Sequence, residues 1–446
     1  VEAGSRTIAL SRVDAQYGAL DGRCPHQGGP LAEGTLEDGP LRCPWHGWGF
    51  HSRTGETAEP HQGGVAAYDV DVRDDGVLVA VDEVVTTAPT VSDVMVETMV
   101  NWGVRHVFGM VGHSNLGMAE AVRKQEAKGN LTFFGIRHEG AASFACSAYA
   151  KLSGRPAACL TIAGPGATNL LTGLWDAQVD RAPVLALTGQ VNTQVLGPGA
   201  FQEIDQASAF KAVAAWSQTV LPTSNHAELM TLALKHAIVQ RGVGHLILPD
   251  EVQVLPSPGG AASGPDGRLG RVEITPAAES IDRALELLVA ARRPTIIVGY
   301  GARESMAEVV ALAERLGAPV LTTFKAKGQI PDDHPLAAGV LGRSGTAIAS
   351  GLMSQADLLI VFGASFAVHT GIDRTKPIIQ VDFDRLALGK FHPVAVPVWG
   401  EIGVTAGILR EELPESPSSV DLRGELAGRW SCLLYTSDAA DEYQRV

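Results

Sequence analysis

Two short segments near the start of the chain each place a cysteine and a histidine on a loop rich in glycine and proline. They read CPHQGG from Cys24 and CPWHGW from Cys43. Thiolates and imidazoles are ligands of transition metals, and glycine lets a loop backbone approach a metal centre closely. We therefore predict that Cys24, His26, Cys43 and His46 hold a metal centre.

Two kinds of centre use two cysteines and two histidines. In a [2Fe–2S] cluster with two cysteine and two histidine ligands, two thiolates hold one iron and two imidazoles hold the other. The neutral imidazoles raise the reduction potential relative to an all-cysteine cluster. A tetrahedral zinc ion is the alternative. Zinc modules usually pair their cysteines as C-x-x-C and lack matched Gly/Pro loops, so the spacing favours the iron–sulfur cluster.

The pattern C-x-H, then C-x-x-H after sixteen residues, resembles the Rieske iron–sulfur family. The segment FHSRTGE after the second loop is similar to that family's hairpin. High-potential members carry an additional cysteine in each loop. Here Gly29 or a neighbour and Trp45 take those places, so the module resembles the ferredoxin and oxygenase branch. The resemblance implies one-electron transfer.

Length, charge and cysteine content limit the remaining possibilities. A chain of 446 residues predicts about three domains, and its net charge of −14 disfavours nucleic acid as a partner. No apolar run reaches the roughly 20 residues that a membrane span needs, and we expect no secretory signal, because the chain does not begin with a basic region followed by an apolar stretch. Five scattered cysteines do not predict a disulfide framework, which favours a reducing, cytoplasmic setting.

The hydrophobic pattern divides the chain into a small all-β domain followed by two α/β domains with parallel sheets. The resemblances given below imply that these two are a pyrimidine-binding domain and a Rossmann-like central domain. Short alternating segments cover 1–85, whereas helix-period segments alternate with apolar strands over 90–254 and 273–414. A Pro/Gly/Ser-rich linker is expected over 255–272. We expect 415–446 to be a linker followed by a foreign tail.

Both ends of the sequence carry an unusual feature. The segment CLLYTSDAADE at 432–442 resembles the translation of a sequencing adapter, a genuine polar tail being the alternative. The chain begins at Val1 without an initiator methionine and inside an expected strand. We therefore expect the natural start to lie upstream and the natural sequence to stop before the adapter-like segment.

Residues 90–254 resemble the pyrimidine-binding domain of thiamine-diphosphate enzymes, first of all pyruvate oxidases and then acetolactate synthases. The resemblance rests on VFGMVGHSNLG, IRHEGAASFACSAYAKLSG, PVLALTGQV, GPGAFQE and RGVGHLILPDEV. Glu139 follows an expected strand and begins an expected helix, at the sheet edge where such folds bind ligands. The resemblance implies that Glu139 hydrogen-bonds N1′ of the aminopyrimidine. A carboxylate that complements the helix dipole is the alternative.

Other residues of this domain are expected to line the same pocket. The GPGATN turn could hold an anion on its N–H groups, but the resemblance implies that it shapes the cofactor pocket and the dimer interface instead. Phe201 and Gln202 match an active-site loop of the family. The remaining candidates are Gly112, Gly164, Gly166 and Asn169.

Residues 273–414 resemble the central domain of the same enzymes, which binds FAD in the oxidases and acetolactate synthases. The sequence RPTIIVGYGA places two glycines after an apolar strand, although the third glycine of the dinucleotide fingerprint is absent. Some relatives keep this domain without flavin. The candidate FAD contacts are Gly299, Gly301, Gly363, Ser365, Asp382 and Asp384.

The third domain of these enzymes holds Mg²⁺ and the diphosphate through a Gly-Asp-Gly motif. This chain contains no Gly-Asp-Gly, so we expect it to bind thiamine diphosphate only weakly by itself.

The combined resemblances imply oxidative decarboxylation of a 2-oxo acid such as pyruvate. Electrons would pass through FAD to the fused cluster and then to a quinone, oxygen or a carrier protein. A carboligase of the acetolactate synthase type is one alternative, and a fragment with only electron-carrier activity is another. The family places its active site between subunits, which implies a homodimer or homotetramer.

Overall fold

The computed structural model describes residues 2–3, 6–25, 28–37, 39–57, 63–74, 76–81, 88–257, 261–415, 417 and 419–443. The chain divides into two compact units, Val1–Arg268 and Leu269–Val446. The expected fold class is confirmed: a small β-rich region precedes two α/β regions, each with a six-stranded parallel sheet.

The described residues of the β-rich region form eight short strands, as the alternating pattern predicts. They are β1 (Glu2–Ala3), β2 (Arg6–Val13), β3 (Gln16–Asp21), β4 (Thr35–Leu36), β5 (Pro40–Arg42), β6 (Gly49–His51), β7 (Ala67–Arg73) and β8 (Gly76–Ala80). One antiparallel sheet has the order β1-β2-β3-β7-β8, and a second has the order β4-β5-β6. Their small apolar core includes Leu20, Leu31, Phe50 and both motif cysteines.

The first α/β region alternates strands and helices. The strands are β9 (His106–Gly109), β10 (Thr132–Gly135), β11 (Ala157–Thr161), β12 (Val184–Gln190), β13 (Trp216–Thr219) and β14 (Val243–Pro249). The helices are α1 (Val91–Asn101), α2 (Leu116–Ala127), α3 (Glu139–Ser153), α4 (Pro165–Thr168), α5 (Leu171–Val179), α6 (Gln206–Phe210), α7 (His226–Val239) and α8 (Asp250–Gln253).

The sheet of this region has the order β10-β9-β11-β12-β14-β13. Every residue of β11, β12 and β14 is buried, because helices cover both faces of a parallel sheet and leave no polar side to its central strands. The strand order reverses direction between β9 and β11. Ligands of open α/β sheets bind at the carboxyl ends of such strands.

The second α/β region forms the other compact unit. Its strands are β15 (Pro294–Val298), β16 (Val320–Thr322), β17 (Ala337–Val340), β18 (Leu358–Phe362), β19 (Ile378–Asp382) and β20 (Val396–Trp399). Its helices are α9 (Ala278–Ala290), α10 (Met306–Leu316), α11 (Ala347–Gln355), α12 (Ile402–Glu412) and α13 (Arg423–Tyr443). The order β17-β16-β15-β18-β19-β20 is that of a dinucleotide-binding sheet, with its crevice between β15 and β18.

Helix α13 lies where a linker and a foreign tail were expected. Its first half packs onto the second α/β region: Leu426 is buried, and the Trp430 indole N–H donates to the Ala337 carbonyl over 2.9 Å. Arg293 and Arg429 both pair with Glu425. These contacts hold the first half of the helix against the second α/β region. Within the described residues, no helix combines the length and apolarity needed to cross a membrane.

Candidate functional site

The two cysteine loops of the β-rich region share one backbone geometry. In each loop the cysteine N–H donates to the carbonyl five residues later, and the glycine four residues after the cysteine donates back to the cysteine carbonyl. These bonds are Cys24–Gly29 (2.8 Å), Gly28–Cys24 (2.7 Å), Cys43–Trp48 (2.8 Å) and Gly47–Cys43 (2.9 Å). Gly28 and Gly47 have φ angles of 75° and 72°, a backbone conformation that favours glycine.

The loops meet at the thiol of Cys43. A methyl group in place of the Gly29 hydrogen would lie 2.6 Å from Cys43 Sγ, so the first loop touches the second cysteine directly. Cys24 and Cys43 are 2% and 3% exposed, whereas His46 is exposed. This arrangement fits a cluster whose thiolate-bound iron lies inside and whose imidazole-bound iron lies at the surface.

His26 lies outside the described residues, so three of the four predicted ligands can be placed. Within the described part of the chain, no three His, Cys, Asp or Glu side chains converge in a way that could hold a metal ion. The matched loops and the Gly29 contact are therefore the observations that support the predicted centre.

In the first α/β region, Glu139 begins α3 at the carboxyl edge of the sheet. The helix begins there because the preceding His138 accepts the Gly140 N–H on its imidazole nitrogen over 3.1 Å. Glu139 is only 8% exposed, and its Oε2 accepts from the side-chain amide of Asn169 over 2.9 Å. A carboxylate that served only the helix dipole would need no such burial and no such partner.

The glycine-rich turn after β11 closes around this carboxylate. A methyl group on Gly166 would lie 3.4 Å from Glu139 Oε1. Ile162, which no sequence pattern marks as a site residue, lies between Gly112 and Gly166. Methyl groups on these two glycines would approach its side chain to 2.6 Å and 2.5 Å. Glycine is therefore needed at both positions for the loops to meet over Ile162.

The predicted loop residues lie against the same turn. A methyl group on Gly164 would come within 2.7 Å of the Gln202 carbonyl oxygen. Gln202 has a φ of 69°, which is unusual for a residue with a side chain. Phe201 is 88% exposed. The structure thus brings together the six candidates Gly112, Glu139, Gly164, Gly166, Asn169 and Gln202, and Phe201 extends from the same loop into solvent.

A second acidic group at this sheet edge was not predicted. Burial and a hydrogen bond with Glu251 raise the pKa of Asp250 to about 6. Asp250 Oδ2 lies 3.9 Å from Nε2 of His113, and Glu251 Oε1 accepts the Thr193 N–H over 3.1 Å. The adjacent acidic pair in LPDEV was the sequence signal that could have found it.

In the second α/β region, the two glycines after β15 meet the loop after β18. The Gly301 N–H donates to the Gly363 carbonyl over 3.0 Å, and a methyl group on Gly299 would lie 2.2 Å from that carbonyl oxygen. Close packing of the two loops accounts for these three glycines.

The other flavin candidates lie at the same sheet edge. Ser365 is exposed, while Asp382, the last residue of β19, and Asp384, two residues later, are half-buried. The Asp384 N–H donates to Asp382 Oδ1 over 2.9 Å, so part of this acidic pair stabilises a turn. The crevice has the position of a dinucleotide site, which fits FAD, but the glycines are already explained by packing.

Comparison with known proteins assigns a family to each of the three regions. Residues 1–69 match the Rieske [2Fe-2S] domain, residues 89–209 match the thiamine pyrophosphate enzyme N-terminal TPP binding domain, and residues 281–409 match the central domain of that family. The chain belongs to the thiamine pyrophosphate enzymes. It also carries a Rieske domain, which precedes the two thiamine pyrophosphate enzyme domains in the chain.

Named relatives include a pyruvate oxidase and an acetolactate synthase. The chain is 36% identical over 308 residues to the putative thiamine pyrophosphate-containing protein YdaP of Bacillus subtilis, covering 68% of the chain and 53% of YdaP. The chain is 32% identical over 337 residues to an acetolactate synthase of Arthrospira platensis, and the alignment covers 70% of the chain and 56% of that synthase. The chain is 28% identical over 355 residues to a pyruvate oxidase of Lactiplantibacillus plantarum, and the alignment covers 78% of the chain and 58% of that oxidase. The chain thus spans little more than half the length of these relatives.

Proposed function

We propose that this thiamine pyrophosphate enzyme oxidatively decarboxylates a 2-oxo acid of the pyruvate type and passes the electrons through FAD to its Rieske centre. The observation that carries the proposal is the buried Glu139 carboxylate, held by Asn169 at the sheet edge of the domain that matches the family. The fused β-rich region with matched cysteine loops favours the oxidative reaction.

The residues of the chain have defined tasks in this proposal. Thiamine diphosphate, when bound, supplies the electron sink that decarboxylation of a 2-oxo acid requires. Glu139 would hold a proton at N1′ of the pyrimidine, and Asn169 keeps the carboxylate oriented by its 2.9 Å hydrogen bond. Gly166 packs beside the carboxylate, whose residue is 8% exposed, so little water would reach it.

The two redox groups would have separate binding residues. Cys24, His26, Cys43 and His46 would hold the [2Fe–2S] cluster, a one-electron carrier. FAD would lie in the crevice beside Gly299, Gly301, Gly363, Ser365, Asp382 and Asp384. Because carrier and enzyme are parts of one chain, electron transfer between them would be intramolecular, with an effective concentration on the millimolar scale. The final acceptor would be a quinone, oxygen or a carrier protein, and the protein would act as a cytoplasmic homodimer or homotetramer.

Anaerobic reconstitution of the chain with iron and sulfide tests the redox part. We expect a broad visible absorption, about two acid-labile sulfides per chain, and an electron paramagnetic resonance signal after reduction. Cys43→Ser should remove all three, and Cys432→Ser, at an exposed cysteine far along the chain, should change none. A single tightly held zinc ion without sulfide would refute an iron–sulfur role.

The thiamine part needs a protein extended to the length of its relatives. In that protein Glu139→Gln should lower kcat by a factor of 10² or more, on the order of a lost general acid–base group. Micromolar, Mg²⁺-dependent thiamine diphosphate binding by the 446-residue chain itself would contradict our expectation that the missing motif is needed.

A non-oxidative carboligase is the second candidate, because an acetolactate synthase is among the relatives with 70% of the chain aligned. Product analysis with pyruvate separates the two reactions. Acetate that forms only with an electron acceptor supports oxidation, and acetolactate that forms without one supports carboligation.

A further inference from the structure

A single carboxylate accepts several backbone hydrogen bonds from the loop that ends at Phe201 and Gln202. Glu203 Oε1 accepts the Gly197 N–H over 2.6 Å, and Oε2 accepts the N–H groups of Gly199 and Ala200, each over 2.9 Å. These three amides lie on one turn and converge on one side chain. Such convergent N–H groups form an anion-binding concavity, which the chain here fills with its own glutamate.

We propose that Glu203 is the positioning residue of the Phe201–Gln202 loop. Its carboxylate closes the Gly197–Ala200 turn on itself, and the closed turn holds the next two residues against the glycine turn beside Glu139. The inference rests on the proposed function only in taking the glycine turn beside Glu139 as part of a cofactor pocket. The loop contacts themselves are features of this chain.

The backbone conformation shows why an anchor is required. Gly197 and Gly199 have φ angles of 107° and 88°, which few other residues adopt. Because glycine has no side chain, the backbone of this turn could also adopt many other conformations. Gln202 has a φ of 69°, an unfavourable value that persists only when surrounding contacts impose it. Three hydrogen bonds to one ionised side chain supply that constraint, since bonds to a charged acceptor are stronger than neutral ones.

The loop also reaches the cofactor turn. The Gln202 backbone packs on Gly164, where a methyl group would lie 2.7 Å from its carbonyl oxygen and 3.0 Å from its Cα. On the other side, the Gln190 side-chain amide donates to the Ile204 carbonyl over 3.0 Å. The backbone is therefore held on either side of Glu203, at Gln202 and Ile204, and the Glu203 carboxylate ties the preceding Gly197–Ala200 turn to these fixed residues.

Residue-resolved hydrogen–deuterium exchange on the full chain tests the proposal without any cofactor. Glu203→Ala should speed exchange of the Gly197, Gly199 and Ala200 amides roughly tenfold or more, while the amides of β12 remain protected. Asp205→Ala is the matched control, because Asp205 lies two residues away and caps α6 through the Ser208 N–H instead.

Two further measurements separate positioning from general stability. Glu203→Gln keeps one carbonyl oxygen and the side-chain volume, so it should restore part of the protection. Formate added to Glu203→Ala should slow exchange of the same three amides, because a small carboxylate can occupy the vacated concavity. Equal exchange of these amides in Glu203→Ala and Asp205→Ala, or no response to formate, would overturn the proposal.

These outcomes are independent of the enzyme's reaction. If an extended protein bound no thiamine diphosphate, the proposed function would fail while the exchange result still decided the role of Glu203. If the extended protein is active and the exchange pattern is as expected, Glu203→Ala should raise KM for the 2-oxo acid, and formate should partly restore it.

Discussion

Lowering the pH from 7 to 5 should destabilise the first α/β region through one buried imidazole. His245 on β14 is fully buried: its Nε2 lies 2.8 Å from Thr188 Oγ1 and its Nδ1 lies 2.8 Å from Ser217 Oγ. Its ring stacks on Phe210 with centroids 3.7 Å apart. Burial lowers the pKa of His245 to about 3, because a charged ring would lose its hydration.

The size of the effect follows from proton linkage. The unfolded chain binds a proton at His245 below about pH 6.5, whereas the folded chain stays neutral until about pH 3. The neutral His245 ring therefore makes its full contribution to the free energy of unfolding above about pH 6.5, and this contribution falls as the pH decreases. Between pH 7 and 5 the free energy of unfolding should drop by about 2 kcal/mol, or about 25-fold in the unfolding constant. That value holds for any folded pKa below about 4.

Hydrogen exchange of the β12 and β14 amides at both pH values, corrected for intrinsic exchange, measures this change. His245→Gln should be less stable at pH 7, because Ser217 loses its partner, yet it should lose about 2 kcal/mol less on acidification. His334→Gln, in the other compact unit, should keep the acid sensitivity of β14. The same acid-induced loss in wild-type protein and His245→Gln would refute the reasoning.

Two pairs of glycine variants test the close contacts. Gly29→Ala should prevent cluster assembly, because its methyl group would lie 2.6 Å from Cys43 Sγ, whereas Gly49→Ala, whose nearest contact is 3.5 Å, should retain acid-labile sulfide. Equal sulfide content in the two variants would contradict the loop contact. Gly299→Ala should lower the melting temperature of the second unit, since its methyl group would lie 2.2 Å from a backbone oxygen. Gly407→Ala, with open space around it in α12, should instead stabilise by about 0.5–1 kcal/mol, and calorimetry that ranks the two variants in the opposite order would contradict this.

Local features of this protein followed from its sequence. The spacing of the two cysteine loops predicted a metal centre, and the structure shows why each loop needs glycine four residues after its cysteine. Continuous apolar runs predicted the buried parallel strands, because a sheet covered on both faces tolerates no alternation. The position of Glu139 between a strand and a helix predicted a carboxylate at the sheet edge. These inferences depend on residues close together in the chain, where spacing alone sets geometry.

Contacts across the fold required the tertiary structure. Glu139 and Asn169 are 30 residues apart, and Gly299 meets Gly363 only because β15 and β18 are neighbours in the sheet. The same holds for Ile162 between two glycine loops, which no local pattern indicates. Strand order and register decide which loops share an edge, and both result from burial of the whole sheet rather than from any one segment. The sequence alone thus determined which groups could do chemistry, and only the assembled sheets decided which of them meet.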